Sequence, residues 1–168
     1  DLSGTITGSV DVDDGTLDID GTATITGNLG VDEINADGAV VNVDSTLEVQ
    51  GTTTITDGEV EVDGTLDSTV VVGADGVLDN NGTVTGNIDN DGTLDLSGDV
   101  TGNIDNDGTL NVLNGAGTIT GTLDTGTDIL VNNNLTVTGL TTIENGAEIT
   151  VGSTNEFDGD ITVDLGGT

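Results

Sequence analysis

An all-β chain wound as a parallel β-solenoid is the fold this sequence predicts, on three observations. Apolar and polar residues alternate through most of the chain. Asp-Gly and Asn-Gly pairs punctuate the alternation, and a ten-residue unit recurs unchanged after a shift of 16. Residues 1–168 are read as one single-stranded β-helix domain of about ten coils of roughly 16 residues. With no initiator Met and no signal segment, the expectation is a processed chain or an excerpt of a longer repeat array.

The alternation is plainest in Leu17-Asp18-Ile19-Asp20, Leu47-Glu48-Val49-Gln50, Val60-Glu61-Val62-Asp63 and Leu94-Asp95-Leu96-Ser97. Leu135-Thr136-Val137-Thr138 and Ile161-Thr162-Val163-Asp164 continue it. Each run places its apolar side chains on one face, the signature of a half-buried strand. Between runs stand Asp14-Gly15, Asp37-Gly38, Asp63-Gly64, Asn81-Gly82, Asp91-Gly92 and Asp107-Gly108. These predict corners in which Gly takes a positive φ and Asp or Asn bonds its own backbone. No stretch has helical periodicity.

Thr85-Gly86-Asn87-Ile88-Asp89-Asn90-Asp91-Gly92-Thr93-Leu94 recurs identically as Thr101 to Leu110. Sixteen residues are too few for a domain but enough for one coil of short strands and tight corners. Coils then stack at roughly 4.8 Å over a continuous aliphatic column. The absence of Pro fits, because each backbone N–H feeds a ladder. The near absence of aromatics (Phe157 stands alone) fits a narrow interior. An antiparallel sandwich predicts longer strands, a longer repeat and usually a core Trp or Tyr. Disorder, the other reading of a highly charged chain, does not explain 47 evenly spread Val, Ile and Leu residues.

Composition excludes much. There is no Lys, Arg, His, Cys, Met, Trp or Tyr, and 25 Asp with 7 Glu give a formal charge of −32. Nucleic-acid binding through phosphates needs Lys or Arg. Thiol, imidazole and Schiff-base chemistry lack their residues, as do disulfides and Cys/His zinc sites. The apolar run Val70-Val71-Val72 is far too short for membrane insertion.

Stacking brings carboxylates to about 4.8 Å from one another, where like charges repel by roughly 1 kcal/mol even in water. With no basic residue in the chain, counter-ions come from solution, as divalent cations or high salt. One motif points to calcium. Asn87-x-Asp89-x-Asp91-Gly92-x-x-Asp95 and Asn103-x-Asp105-x-Asp107-Gly108-x-x-Asn111 alternate side-chain oxygens around a sharp Gly turn. That arrangement suits a hard cation seeking six to eight oxygens. The spacing resembles EF-hand or dockerin-type loops over nine residues, without a Glu at the twelfth position, where Gly98 stands, or flanking helices. The candidate ligands to Ca2+ are therefore Asn87, Asp89, Asp91, Asp95, Asn103, Asp105, Asp107 and Asn111. The competing reading is a strand end, a corner and the next strand.

Thr-x-Thr pairs at Thr5/Thr7, Thr24/Thr26, Thr54/Thr56, Thr83/Thr85, Thr118/Thr120 and Thr136/Thr138 resemble the ice-binding faces of insect antifreeze solenoids. Their spacings of 19, 30, 29, 35 and 18 skip coils, so the preferred reading is Thr as a β-branched strand filler. Enzymatic activity is not expected. Pectate lyases and polygalacturonases are right-handed β-helices, but their chemistry calls for a base or anion-binding group, generally Arg, Lys or His. A −32 surface also repels polyuronates.

Gly82-Thr-Val-Thr-Gly-Asn-Ile-Asp89 and Asn134-Leu-Thr-Val-Thr-Gly-Leu-Thr-Thr-Ile143 resemble the repeats of bacterial surface β-solenoids, the autotransporter passengers and filamentous-haemagglutinin-like adhesins. Bactofilins, which polymerise as cytoskeletal solenoids, share the Val-x-Gly-Asn-Ile rhythm, and phage tail-fibre shafts share Leu-Thr-Val-Thr-Gly-x-Thr-Thr-Ile. The acidity and the lack of Lys depart from bactofilins. The resemblance implies a structural protein at the cell surface: a subunit of an extracellular filament, adhesin stalk or biofilm matrix. Its partners are expected to be copies of itself, stacked head to tail, and divalent cations. The alternative is a ligand-binding solenoid that recognises glycan through calcium, or ice.

Overall fold

Alternation of this kind buries one side chain in two, and the backbone closes on the buried set. The computed structural model describes residues 2–13, 15–31, 39–113, 115, 117–144 and 146–164. Among the described residues, twenty-two strands form a 14-stranded and an 8-stranded sheet, with parallel pairing between successive coils. The expected all-β parallel solenoid is therefore the fold.

Each coil contributes to three faces. The first face stacks Gly4–Ile6, Ala23–Ile25, the starts of Thr46–Ile55 and Thr65–Val72, then Thr83–Thr85, Asp99–Thr101, Gly117–Thr120 and the start of Leu135–Ile143. The second stacks Val10–Val12, Leu29–Val31, the ends of those two long strands, Ile88–Asn90, Ile104–Asn106 and Leu123–Thr125. The long strands pass through both faces and join them into the larger sheet. The third face runs from Gly15–Ile19 through Glu59–Val62, Val77–Asn80, Thr93–Leu96 and Thr109–Val112 to Ile149–Val151.

The coil is longer than the identical repeat implies. Register steps on the first face are 19 residues from Thr5 to Thr24, 24 from Thr24 to Glu48, and 18 from Thr65 to Thr83. They are 16 from Thr83 to Asp99, 19 from Asp99 to Thr118 and 22 from Thr136 to Asp158. About eight turns of roughly 19 residues result, and the 16-residue step is the shortest, with corners trimmed to a minimum.

Inward positions form one column of aliphatics. Leu47, Leu66, Val84, Val100 and Ile119 are fully buried behind the first face, and Val60, Leu78, Leu94 and Leu110 behind the third. Corner glycines have a reason other than the expected one. Gly64, Gly82, Gly92 and Gly108 do not have positive φ, whereas Gly15 does, at 85°. A Cβ on Gly108 would run into the carbonyl oxygen of Gly92, one coil below. Stacked corners approach too closely for any side chain, and that selects Gly. Asp14 and the Asp37-Gly38 pair lie outside the described residues.

Candidate functional site

Outward positions of the second and third faces collect carboxylates into two columns. On the second, Asp89 pairs with Asp105 and Asp105 with Asp124, between Val71 on one side and Thr142 on the other. On the third, Glu61 pairs with Asp79 and Asp79 with Asp95. This third-face run ends on Asn42 and Asn111, and Asn111 Nδ2 donates to Asp95 Oδ1 at 2.7 Å. Asn42 Nδ2 reaches past the run, to Asp18 Oδ1 at 2.7 Å.

The carboxyl groups respond to this crowding. Asp105 is pushed above its ordinary value, first by partial burial and then by Asp107, Asp124, Asp89 and Asp91. Asp79 is raised by burial and by Asp95, against a hydrogen bond from Asn81 that lowers it, with Asp63 adding to the rise. Glu61 is raised by burial, then by Asp63, Asp79, Glu59 and Asp44. Asp105 and Asp79 are the central residues of their runs, and Glu61 is the first residue of the third-face run.

The eight candidate calcium ligands are distributed rather than wrapped into loops. Asp89 and Asp105 stack on the second face, while Asp95 and Asn111 stack on the third, beyond the corner that holds Asp91 and Asp107. Asn87 and Asn103 stand at the entry to the second face, where their side chains are already engaged. Asn87 Oδ1 accepts from the Asn103 amide at 2.9 Å, and Asn103 Oδ1 from the Thr122 amide at 3.0 Å. Among the described residues no group of three or more carboxylates is arranged to hold a metal ion. A shallow groove between the Asn87–Asn103–Thr122 row and the Asp89–Asp105–Asp124 row is what the motif builds.

Behind this groove lies a feature the motif hides. Asn90 and Asn106 are fully buried, stacked beneath Thr125. Asn90 Nδ2 donates to Asn106 Oδ1 at 2.6 Å, and Asn106 Nδ2 to Thr125 Oγ1 at 3.1 Å and Thr127 Oγ1 at 2.9 Å. The signal was present in the parity of the strand: with Ile88 inward, Asn90 is inward as well.

The last rungs differ from all others. Ile161 and Val163 stand in register with buried Thr141 and Ile143, yet are 48% and 52% exposed. Val151, above buried Val131, is 38% exposed. Among the described residues, the strands Phe157–Val163 and Ile149–Val151 are sheet edges, each paired on one side only. Among the described residues no helix is long and apolar enough to cross a membrane.

Comparison with protein families matches residues 41–142 to the bactofilin model, described as polymer-forming cytoskeletal. Searches of curated proteins and of solved structures gave no match. The matched segment spans the coils that carry both carboxylate columns, and the autotransporter and adhesin resemblance finds no such support. Extracellular placement at the cell surface is overturned by the same finding: the family is cytoskeletal, and a repeat rhythm shared by many solenoids does not report compartment. Repeat, fold and matched span converge, and the chain belongs to the bactofilin family of polymer-forming cytoskeletal proteins.

Proposed function

We propose that this chain is a structural subunit that polymerises end to end, each copy continuing the rung stack of the next. The observation that carries the reading is the exposed inward set Val151, Ile161 and Val163 beside unpaired parallel edges. A further rung there would bury aliphatics and satisfy a row of backbone donors and acceptors, the driving terms that hold every internal coil. Like charge opposes the contact, because 32 carboxylates face no basic residue. Cations from solution, divalent ones among them, lower that barrier. Self-association is thus coupled to ionic conditions, and nothing in the arrangement calls for catalysis.

The test is assembly of the purified chain, followed by electron microscopy and sedimentation. Ile161→Glu with Val163→Glu is expected to raise the concentration needed for assembly more than tenfold while the far-ultraviolet circular dichroism stays that of the parent. Filaments that form equally well with both charges present would refute end-to-end stacking through this edge.

A further inference from the structure

The register gathers threonines that look scattered in the sequence. One outward column of the first face runs Thr46, Thr65, Thr83, Asp99, Thr118, Thr136 and Asp158. Two residues along each strand, a second column runs Thr24, Glu48, Asp67, Thr85, Thr101 and Thr120. Variable coil lengths had made these pairs seem to skip coils. In space, Thr83/Thr85, Asp99/Thr101, Thr118/Thr120 and Thr136/Thr138 occupy four successive rungs. Of the expected pairs, Thr54/Thr56 is not in the array, since Thr54 pairs with Gly30 and Val71 on the second face, and Thr5/Thr7 and Thr24/Thr26 are displaced from it by two residues, since Thr5 and Thr24 stand in the second column.

We propose that this threonine face binds ice. Successive rungs repeat at about 4.8 Å, and the two columns stand about 6.6 Å apart along the strand. The face is therefore a two-dimensional grid of hydroxyls and methyls, over a wall of buried Val84, Val100, Ile119 and Val137. β-Branched side chains on a strand have restricted χ1, so the grid is held in place before any ligand arrives. A ligand that matches it must itself repeat in two directions at spacings of a few ångströms, as the ordered water at an ice surface does. Charge is also distributed to suit. The second and third faces each stack three carboxylates in a row, whereas Asp99 is the single carboxylate among the eight grid positions of these four rungs, which are bounded by Asp67 below and Asp158 above. A carboxylate imposes its own hydration shell on the water around it; threonine does not.

A second copy of the chain is the rival occupant, and two magnitudes disfavour it. Six rungs about 10 Å wide offer roughly 300 Å² of contact, against about 800 Å² per partner in a stable interface. Pressing two such faces together also brings Glu48, Asp67 and Asp99 of each copy against their counterparts, with no Lys or Arg to neutralise them.

The experiment measures thermal hysteresis and ice-recrystallisation inhibition of the purified chain in dilute buffer, with three variants. Asp99→Thr completes the grid and is expected to raise activity at least twofold. Thr101→Tyr, at its centre, is expected to cut activity at least fivefold, and Thr142→Tyr on the second face to leave it unchanged. Matched circular dichroism and filaments in micrographs of Thr101→Tyr separate this idea from the assembly reading. The proposal falls if the parent and Asp99→Thr both leave ice growth as buffer does, or if Thr142→Tyr abolishes activity as Thr101→Tyr does. A lateral dimer dispersed by Thr101→Tyr would assign the face to a second copy and overturn it as well.

Discussion

The two carboxylate columns look alike from outside and are built differently underneath. The third-face run, Glu61–Asp79–Asp95, lies over Val60, Leu78 and Leu94 and has the amide of Asn111 donating to its last residue. The second-face run, Asp89–Asp105–Asp124, stands between the buried aliphatics Ile88, Ile104 and Leu123 and the buried ladder Asn90–Asn106–Thr125, and its flanking residues Val71 and Thr142 bring no amide. One column stands over hydrocarbon interrupted by Asn80 and has a hydrogen-bonded end; the other has buried aliphatics on one side and a polar spine on the other. The third face therefore rests mainly on aliphatic packing, whereas the second adds to its aliphatics a side-chain hydrogen-bond ladder in which Asn90 Oδ1 is left without a partner.

Truncating the hydrocarbon should do the most damage. Leu94→Ala empties a fully buried site on the third face, and a loss of about 2–5 kcal/mol is expected in denaturant unfolding. Next comes the polar spine. Asn106→Leu removes one of the two acceptors of the Asn90 amide and the donor to Thr125 and Thr127, while Asn90 keeps Thr109 O and both hydroxyls keep their backbone acceptors, and a cost of about 1–3 kcal/mol is expected. Asn80→Leu, behind the third face, gives up a single bond to the Asp99 carbonyl, and its Oδ1 has no partner to lose. It should cost less than Asn106→Leu. Equal losses would erase the distinction between the two faces.

Strand identity was legible because period-two alternation is a local property: Leu17 to Asp20 and Leu94 to Ser97 need no tertiary information to be read. Coil length was not, because the corners absorb insertions the alternation does not record. Val72 reaches the next strand through Gly73 to Gly76, whereas Asn90 does so through Asp91 and Gly92 alone. Once the corner lengths were misjudged, the Thr83, Thr118 and Thr136 pairs seemed to skip coils. The calcium spacing failed to convey geometry for a related reason. Asn87 to Asp95 crosses a corner, so residues that alternate in sequence are split between two faces. Compartment was unreadable in principle, since charge governs solubility and association rather than address.

Relieving charge is the milder perturbation, and it too should distinguish the columns. Asp105→Asn removes the central charge of a run that receives no amide from its flanks and is expected to stabilise by about 0.2–1 kcal/mol. Asp95→Asn removes a charge already served by Asn111 and should stabilise less. A larger gain at Asp95 would mean that the Asn111 hydrogen bond does not temper repulsion.

The smallest effect is the pH dependence of the Asp105→Asn gain. Because the folded-state pKa of Asp105 is raised, the folded chain holds more proton than the unfolded one between the ordinary value of 3.8 and the raised value. Stability contributed by this group therefore increases as pH falls through that window, opposite to the usual behaviour of a salt-bridged carboxylate. The advantage of Asp105→Asn over the parent should be full at pH 7 and low salt. It should shrink as acid protonates Asp105. Calcium or added salt at pH 7 is expected to shrink it as well, by a few tenths of a kcal/mol, since screening acts over about 8 Å at physiological ionic strength. For the parent chain, chelator at low salt should lower the melting temperature, and calcium or mild acid should restore it. If the Asp105→Asn advantage proves constant across pH, salt and calcium, the substitution acts through packing, and repulsion along the second face is not what limits its stability.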